Sequence, residues 1–406
     1  MTTLRLALRN LVGAGVRTWL NAIALSFSFV AIIYTQGLLV GTYRQAEDAM
    51  VQSDIAGGQY WQQAYDPYDP LSLPDAHAAL PAALAELVRQ GRATPILMSQ
   101  GTIYPAGRSR QVLLKGIAPD QKITALPSRF LDDGENPKSK IQNPKSRVPA
   151  SAELPALIGG LMAQSTGLKT GDRFTVQWRD AHGTFDAREV RVMQVMNTIV
   201  TTIDEGQIWL PLARLQEMSA VPGQATLVTV ARDIKNPPAV AGWSFRNQGY
   251  LLKDIRAIIQ SKSVSSSIVY VLLMFLAMLA IFDTQVLSIF RRRREMGTLM
   301  ALGMTRGAII RLFTLEGALI GVLAALVATA YGLPLLIYSA RTGMGMPKGI
   351  GSMGFAVAER IFPAYSAGLV IGSAILVLLV TTIVSYLPTR RIAKLKPTDA
   401  LRGRWS

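Results

Sequence analysis

Two histidines, no cysteine and two acids inside apolar runs are the residues from which this chain could build chemistry. His77 and His182 are far apart in sequence and neither belongs to a ligand-spaced cluster, so they read as ordinary surface histidines and not as zinc or heme ligands. The absence of cysteine removes disulfides, thiolate metal sites and thiol nucleophiles together. Gly349, Gly351 and Gly354 spell G-x-G-x-x-G, but they follow an apolar helical run and have no preceding strand. Without a βαβ setting the dinucleotide reading fails. No G-x-x-x-x-G-K-[ST], G-x-S-x-G or H-E-x-x-H occurs, so P-loop, serine-hydrolase and zincin chemistry are excluded by motif. The remaining acids are scattered among bases, as on a solvated surface. The reading is a chain with no catalytic, cofactor or metal site of its own. Asp283 and Glu316 are the intramembrane polar candidates, because an unpaired charge within an apolar span is costly. Asp283 admits a proton relay or polar bonding between helices; with no His or Lys beside it, helix bonding is preferred. Glu316 is close enough to the span boundary to reach Arg311 or headgroup water.

These candidates point back to the elements that carry them. Half of the 406 residues are hydrophobic, 17% are charged and the mean hydropathy is +0.28. Four runs are long and apolar enough to cross a hydrocarbon core of roughly 30 Å: residues 20–40, 268–290, 312–337 and 365–387. The first is longer than a signal-peptide core and lacks a small-x-small cleavage site, so it reads as a retained anchor. The net charge of +16 could suggest nucleic acid, yet the surplus crowds beside the spans. Residues 41–267 carry 24 basic and 21 acidic residues, close to balance, which leaves no nucleic-acid footprint there. Residues 1–19, 291–311 and 388–406 hold the flanking arginines and lysines, and the positive-inside rule turns all three to the cytoplasm. Residues 41–267 and the 338–364 connection are then extracytoplasmic. Gly317-x-x-x-Gly321, with Ala325 and Ala328, and Gly368-x-x-x-Gly372 predict close helix contacts, and Pro334 predicts a kink.

The outer segment has its own pattern. Tyr43, Ala46 and Met50 recur at helical spacing, as do Leu251, Ile255, Ile258 and Ile259, which predicts two helical stalks. Between them, β-like runs at 101–104, 111–115, 174–178, 189–195, 207–210 and 227–230 alternate with helical patterns at 75–90 and 212–218. The fold class is therefore a four-helix membrane protein with a mixed α+β extracytoplasmic domain inserted between helices 1 and 2. The repeated NPKS at 136–139 and 143–146 has no apolar face and reads as an exposed, mobile insertion.

The most informative stretch is 291–306, RRRREMGTLMALGMTR. After four arginines, Met296, Leu299, Met300 and Gly303 fall along one side of a short helix. That helix is too short and too charged to span, so it should lie on the membrane surface and show apolar side chains to the cytoplasm. A plain surface-anchored connector fits the same pattern.

Residues 294–306 and FTLEG at 313–317 resemble the signature of the FtsX/MacB/LolC-type ABC transporter permeases, approximately R-E-I-G-x-L-x-A-L-G-A followed by an acid and Gly. The ending PTRRIAKLKPTDALR, 388–402, is similar to that family's tail. LIGGL at 157–161 and TGLKTGD at 166–172 resemble the lipoprotein-releasing LolC/LolE branch. Met300 and Met304 depart from the Arg and Ala common at those places. The resemblance implies a MacB-like periplasmic domain and a multi-pass bacterial inner-membrane subunit. Such a subunit pairs with an identical or related permease and engages a separate P-loop ATPase that binds ATP-Mg. Glu295, Gly297, Thr298, Leu299, Ala301, Leu302 and Gly303 would form the ATPase-docking helix. The function implied is mechanotransmission to the periplasm, for lipoprotein release or export of a hydrophobic or peptide-like substrate, with a periplasmic accessory protein as a further partner. The alternative is an FtsX-like signalling scaffold that activates a periplasmic partner without transport. A secondary transporter would have only Asp283 in its favour.

Overall fold

The computed structural model describes residues 15–132, 153–234, 236–257, 260–261, 268, 271–272, 275, 279, 282–283, 286, 298–300, 302–345 and 360–392. Its contacts divide the chain into two units: Arg44–Ala257 with Gly345–Glu359, and Met1–Tyr43 with Ile258–Met344 and Arg360–Ser406. The NPKS insertion lies outside the described residues.

Helix α1 (Val16–Met50) runs on past the charge-free stretch, carrying Tyr43, Ala46 and Met50 as their spacing predicted. It closes in a π-helical turn, Val51–Ile55, and Ala56 then takes φ 47°. A residue with a Cβ pays about 1–3 kcal/mol for such a conformation. Two bonds hold it there: Ala56 N–H donates to Val51 O at 2.7 Å, and Gln248 Nε2 donates to Ala56 O.

The strands follow as β1 (Gly58–Gln62), β2 (Ala78–Ala79), β3 (Ala93–Ile103), β4 (Arg110–Ile117), β5 (Leu154–Gly159), β6 (Arg173–Arg179), β7 (Phe185–Met196), β8 (Gln207–Pro211), β9 (Gln224–Ala225), β10 (Leu227–Val230) and β11 (Trp243–Asn247). Interleaved are α2 (Ala82–Arg89), α3 (Gly160–Thr166), α4 (Thr201–Gly206), α5 (Leu212–Met218) and α6 (Gln248–Leu251). The main sheet runs β11-β1-β10-β3-β4-β8-β5-β7-β6, and β6 pairs back onto β3 at residues 101–103. Strands β3, β4, β8, β5, β7 and β6 thus close into a ring, while β10, β1 and β11 form a wing from the first half of β3.

Alternation along the strands sorts the side chains by face, as a period of two requires. Ala156, Ile158, Ile208 and Leu210 point into the ring core with Val176 and Val190, whereas Leu157 and Trp209 join an outer cluster with Ile96 and Met98. Helix α5 adds Leu215 and Met218 to the ring core, and Trp178 Nε1 donates to Met218 O at 2.6 Å. The wing carries a third cluster, with Tyr60, Val228 and Trp243 against Leu84 of α2.

In the other unit, α7 (Arg306–Thr342) and α8 (Ala367–Ile392) join the apolar part of α1. Among the described residues, three helices are long and apolar enough to cross a membrane. Within the second sequence-derived span, 268–290, the described positions are helical, and the remainder lies outside the described residues. Helix α7 continues through Pro334 to Thr342.

Contact between these helices depends on missing Cβ atoms. A methyl at Gly317 would strike the Ser385 side chain, and one at Gly321 would lie 2.7 Å from Thr381 Oγ1, both on α8. The predicted Gly317/Gly321 face is therefore the α7–α8 seam. Among the described residues, a Cβ at Gly372 would meet nothing within 4 Å and one at Gly368 only Ser366 Oγ at 4.0 Å. A third pair, Gly37 and Gly41 on α1, receives the chain entering α8: Ala364 N–H donates to Gly37 O at 2.8 Å, and a Cβ on Gly41 would meet Phe362 O. Gly41→Val is expected to cost about 1–3 kcal/mol by overpacking, whereas Gly372→Val leaves stability unchanged. Thermal unfolding of the detergent-purified variants tests this, and equal midpoints for the two would refute the packing described.

Candidate functional site

The described part of the stretch singled out by sequence, 298–300 and 302–306, forms an elbow. Thr298, Leu299 and Met300 are helical, and the helix stops at Gly303, whose φ is +94°. Gly303 N–H donates to Met300 O at 3.1 Å and Met304 N–H to Leu299 O at 3.0 Å. This 5→2 and 6→1 pair is the Schellman closure, which requires a left-handed residue where Gly303 stands. Thr305 at once caps the next helix, its Oγ1 accepting from Ala308 N–H at 3.3 Å, so α7 begins at Arg306.

The apolar residues of the elbow divide by direction. Leu299, Met300 and Met304 pack on the buried Ile309 and Phe313 of α7. Leu299 and Met304 occupy the two positions from which a Schellman turn builds its apolar clasp, and both are directed onto that pair. Leu302 points the other way and is 79% exposed. Of the residues proposed for docking, Thr298 and Leu302 are on the exposed side, and Leu299 is spent on the internal joint. Glu295, Gly297 and Ala301 lie outside the described residues, as does the tail beyond residue 392. Asp283 is helical and exposed, and Glu316 is half-buried on α7.

The two motif turns of the outer domain are structural devices. Gly159 lets α4 approach, since a Cβ there would collide with Asp204 backbone atoms. The Asp204 carboxylate, 2% exposed, accepts from Leu161 N–H at 2.7 Å and from the N–H and hydroxyl of Thr198, each at 3.0 Å. In the second turn Gly167 and Gly171 take φ +77° and +98°, and Asp172 Oδ2 accepts from Lys169 N–H at 2.8 Å. His77 Nδ1 lies 2.7 Å from Gln224 Oε1, and His182 sits in the turn organised by Asp180, whose Oδ1 accepts its N–H at 2.9 Å.

Sequence reasoning passed over one polar group of note. Lys115, 3% exposed in the otherwise apolar run VLLKGI, donates to Asp54 Oδ1 at 3.0 Å and sits 4.9 Å from the Trp209 ring centre. A lone lysine inside a strand of leucines, valine and isoleucine was the available signal.

Long apolar helices together with a mixed α/β domain are the build of an integral membrane protein. Residues 267–397 match the family model described as FtsX-like permease C-terminal, a range that includes the elbow, α7 and α8. The match supports the FtsX/MacB/LolC permease family, whose members generally work with a partner ATPase subunit. A search of the curated proteins finds no match for the chain.

The elbow makes a direct prediction. Gly303→Val is expected to destabilise the chain by about 1–2 kcal/mol, because a branched side chain resists the left-handed region. Gly303→Asn should lose less. Melting of the purified variants checks the order, and a Val variant as stable as the parent contradicts the turn.

Proposed function

We propose that this chain is the permease subunit of an ATP-driven ABC complex, in which a separate P-loop ATPase docks at the elbow and drives work in the outer domain. The observation that carries the reading is the coincidence of the exposed Leu302 and the rigid Gly303–Thr305 turn with the FtsX-like match. In this reading the four apolar runs are the spans, the arginine distribution turns both termini and the elbow to the cytoplasm, and the family resemblance implies a bacterial inner membrane. The outer domain then lies in the periplasm, and the chain pairs with a second permease. The work is release or export of a hydrophobic or peptide-like substrate, with the lipoprotein-releasing branch as the nearest analogy. Catalysis belongs to the partner, which binds ATP-Mg.

Leu302→Asp is the direct test, since it places a charge on the exposed face and leaves Leu299 and Met304 packed on Ile309 and Phe313. It should cut co-purification of the ATPase by about tenfold or more, the loss typical of an apolar anchor, while the melting temperature stays at the parent value. Retention of the ATPase by a folded Leu302→Asp chain would sink the docking role. Retained ATPase with normal lipoprotein sorting but altered cell-wall hydrolase activity would replace release by signalling.

A further inference from the structure

A cavity of about 310 Å³ lies in the outer domain where the end of α1, the Val51–Ile55 turn, β4 and α6 meet. Lys115 and Asp54 both line it. Lys115 is the one Lys or Arg among the buried described residues, and burying an ammonium is expensive unless its bonding capacity is met. An ammonium has three donors, and among the described residues only Asp54 takes one. Asp54 spends Oδ1 on that bond, and its main-chain oxygen accepts from Gln59 Nε2 at 3.0 Å and Thr229 Oγ1 at 3.3 Å. Its Oδ2 has no hydrogen-bond partner among the described residues. The polar part of the cavity therefore offers spare donors beside a spare acceptor, with no net charge.

That combination selects among ligands. A free carboxylate gains from Lys115 but meets Asp54, and a free amine meets Lys115. A neutral amide satisfies both, its carbonyl accepting and its N–H donating. The rest of the lining holds Gln59 and a further oppositely charged pair of residues, Lys253 and Asp254, which leave the balance of charge unchanged, and a cluster of rings. Trp61 stands edge-on to Tyr65 at 5.1 Å and to Tyr250 at 6.0 Å, with the Arg246 guanidinium 4.6 Å from the Tyr250 ring centre. Such a wall suits an apolar side chain. Burial, with Asp54 and Asp66 nearby, pushes the Tyr65 hydroxyl up from its ordinary value, so it stays protonated as a further donor.

We propose that this cavity binds a peptide-like ligand through one neutral amide, Lys115 donating to the carbonyl and Asp54 accepting from the N–H, with an apolar side chain against Trp61, Tyr65 and Tyr250. The proposal deepens the permease reading by naming its substrate class and rests on it for biological meaning. The binding itself does not.

The test uses the full chain in nanodiscs, with N-acetyl-leucinamide, N-acetyl-leucine and leucinamide as probes read by calorimetry and saturation-transfer NMR. The parent chain should prefer N-acetyl-leucinamide over the acid and the amine by about tenfold, the worth of one well-made buried hydrogen bond. Asp54→Asn leaves Lys115 uncompensated, so preference should swing to N-acetyl-leucine. Tyr250→Ala, at a residue already 46% exposed, should weaken the amide without lowering the melting temperature. Equal binding of all three probes, no binding of any, or an unaltered affinity in a folded Tyr250→Ala chain would each overturn the site. ATPase co-purification with the parent chain is measured separately. An ATPase partner without amide binding removes only the cavity proposal, and amide binding without an ATPase removes only the permease reading.

Discussion

The outer domain depends on one strand being shared. Strand β3 pairs with β10 over residues 93–96, with β4 over 96–103 and with β6 over 101–103. Without the last pairing the ring would have two open edges, and its core of Ile103, Val176 and Trp178 would face water. Closure also fixes where proline is tolerated. Pro95 lies where β3 has only β10 beside it, and Pro155 lies where β5 has β7 but not yet β8. A residue with no N–H can occupy a strand where one side makes no ladder bond.

The same demand for close backbone approach organises the helical unit, where glycine supplies it. Gly317 and Gly321 admit α8, Gly332 admits Val30 of α1, and Gly37 and Gly41 admit the chain entering α8. The first pair was visible as a small-residue face. The α1 pair was equally visible in spacing, but its partner is the irregular segment 362–365, and no helical pattern in the sequence points there. The Gly368/Gly372 spacing is the same by letter and finds no close partner among the described residues, so the motif specifies an opportunity for contact and not the contact.

Legibility elsewhere followed how strongly one period dominated. The runs at 111–115, 174–178, 189–195, 207–210 and 227–230 fall inside observed strands, and helix 212–218 coincides with α5. Strand β5 and the first half of β3 were missed because LPALIG and ATPILM are nearly continuous apolar runs with a proline, buried on both faces, so no alternation shows. Residues 75–81 were read as helix but form a turn and β2, with α2 starting only at Ala82. At the elbow, spacing placed Leu299, Met300 and Gly303 along one side of a short helix. It could not reveal that the Schellman clasp turns Leu299 and Met304 inward, because that choice is made by the backbone at Gly303.

The elbow's shortness has a mechanical consequence. One helix is closed by Gly303 and Met304, the next is capped by Thr305, and no residue is left over between the two devices. A linker with slack would let one helix swivel while the other stayed still. If a partner pressed on Leu302, the load would find no spare residue in which to dissipate and would pass to the 37-residue helix α7 through the packing of Leu299 and Met304 on Phe313.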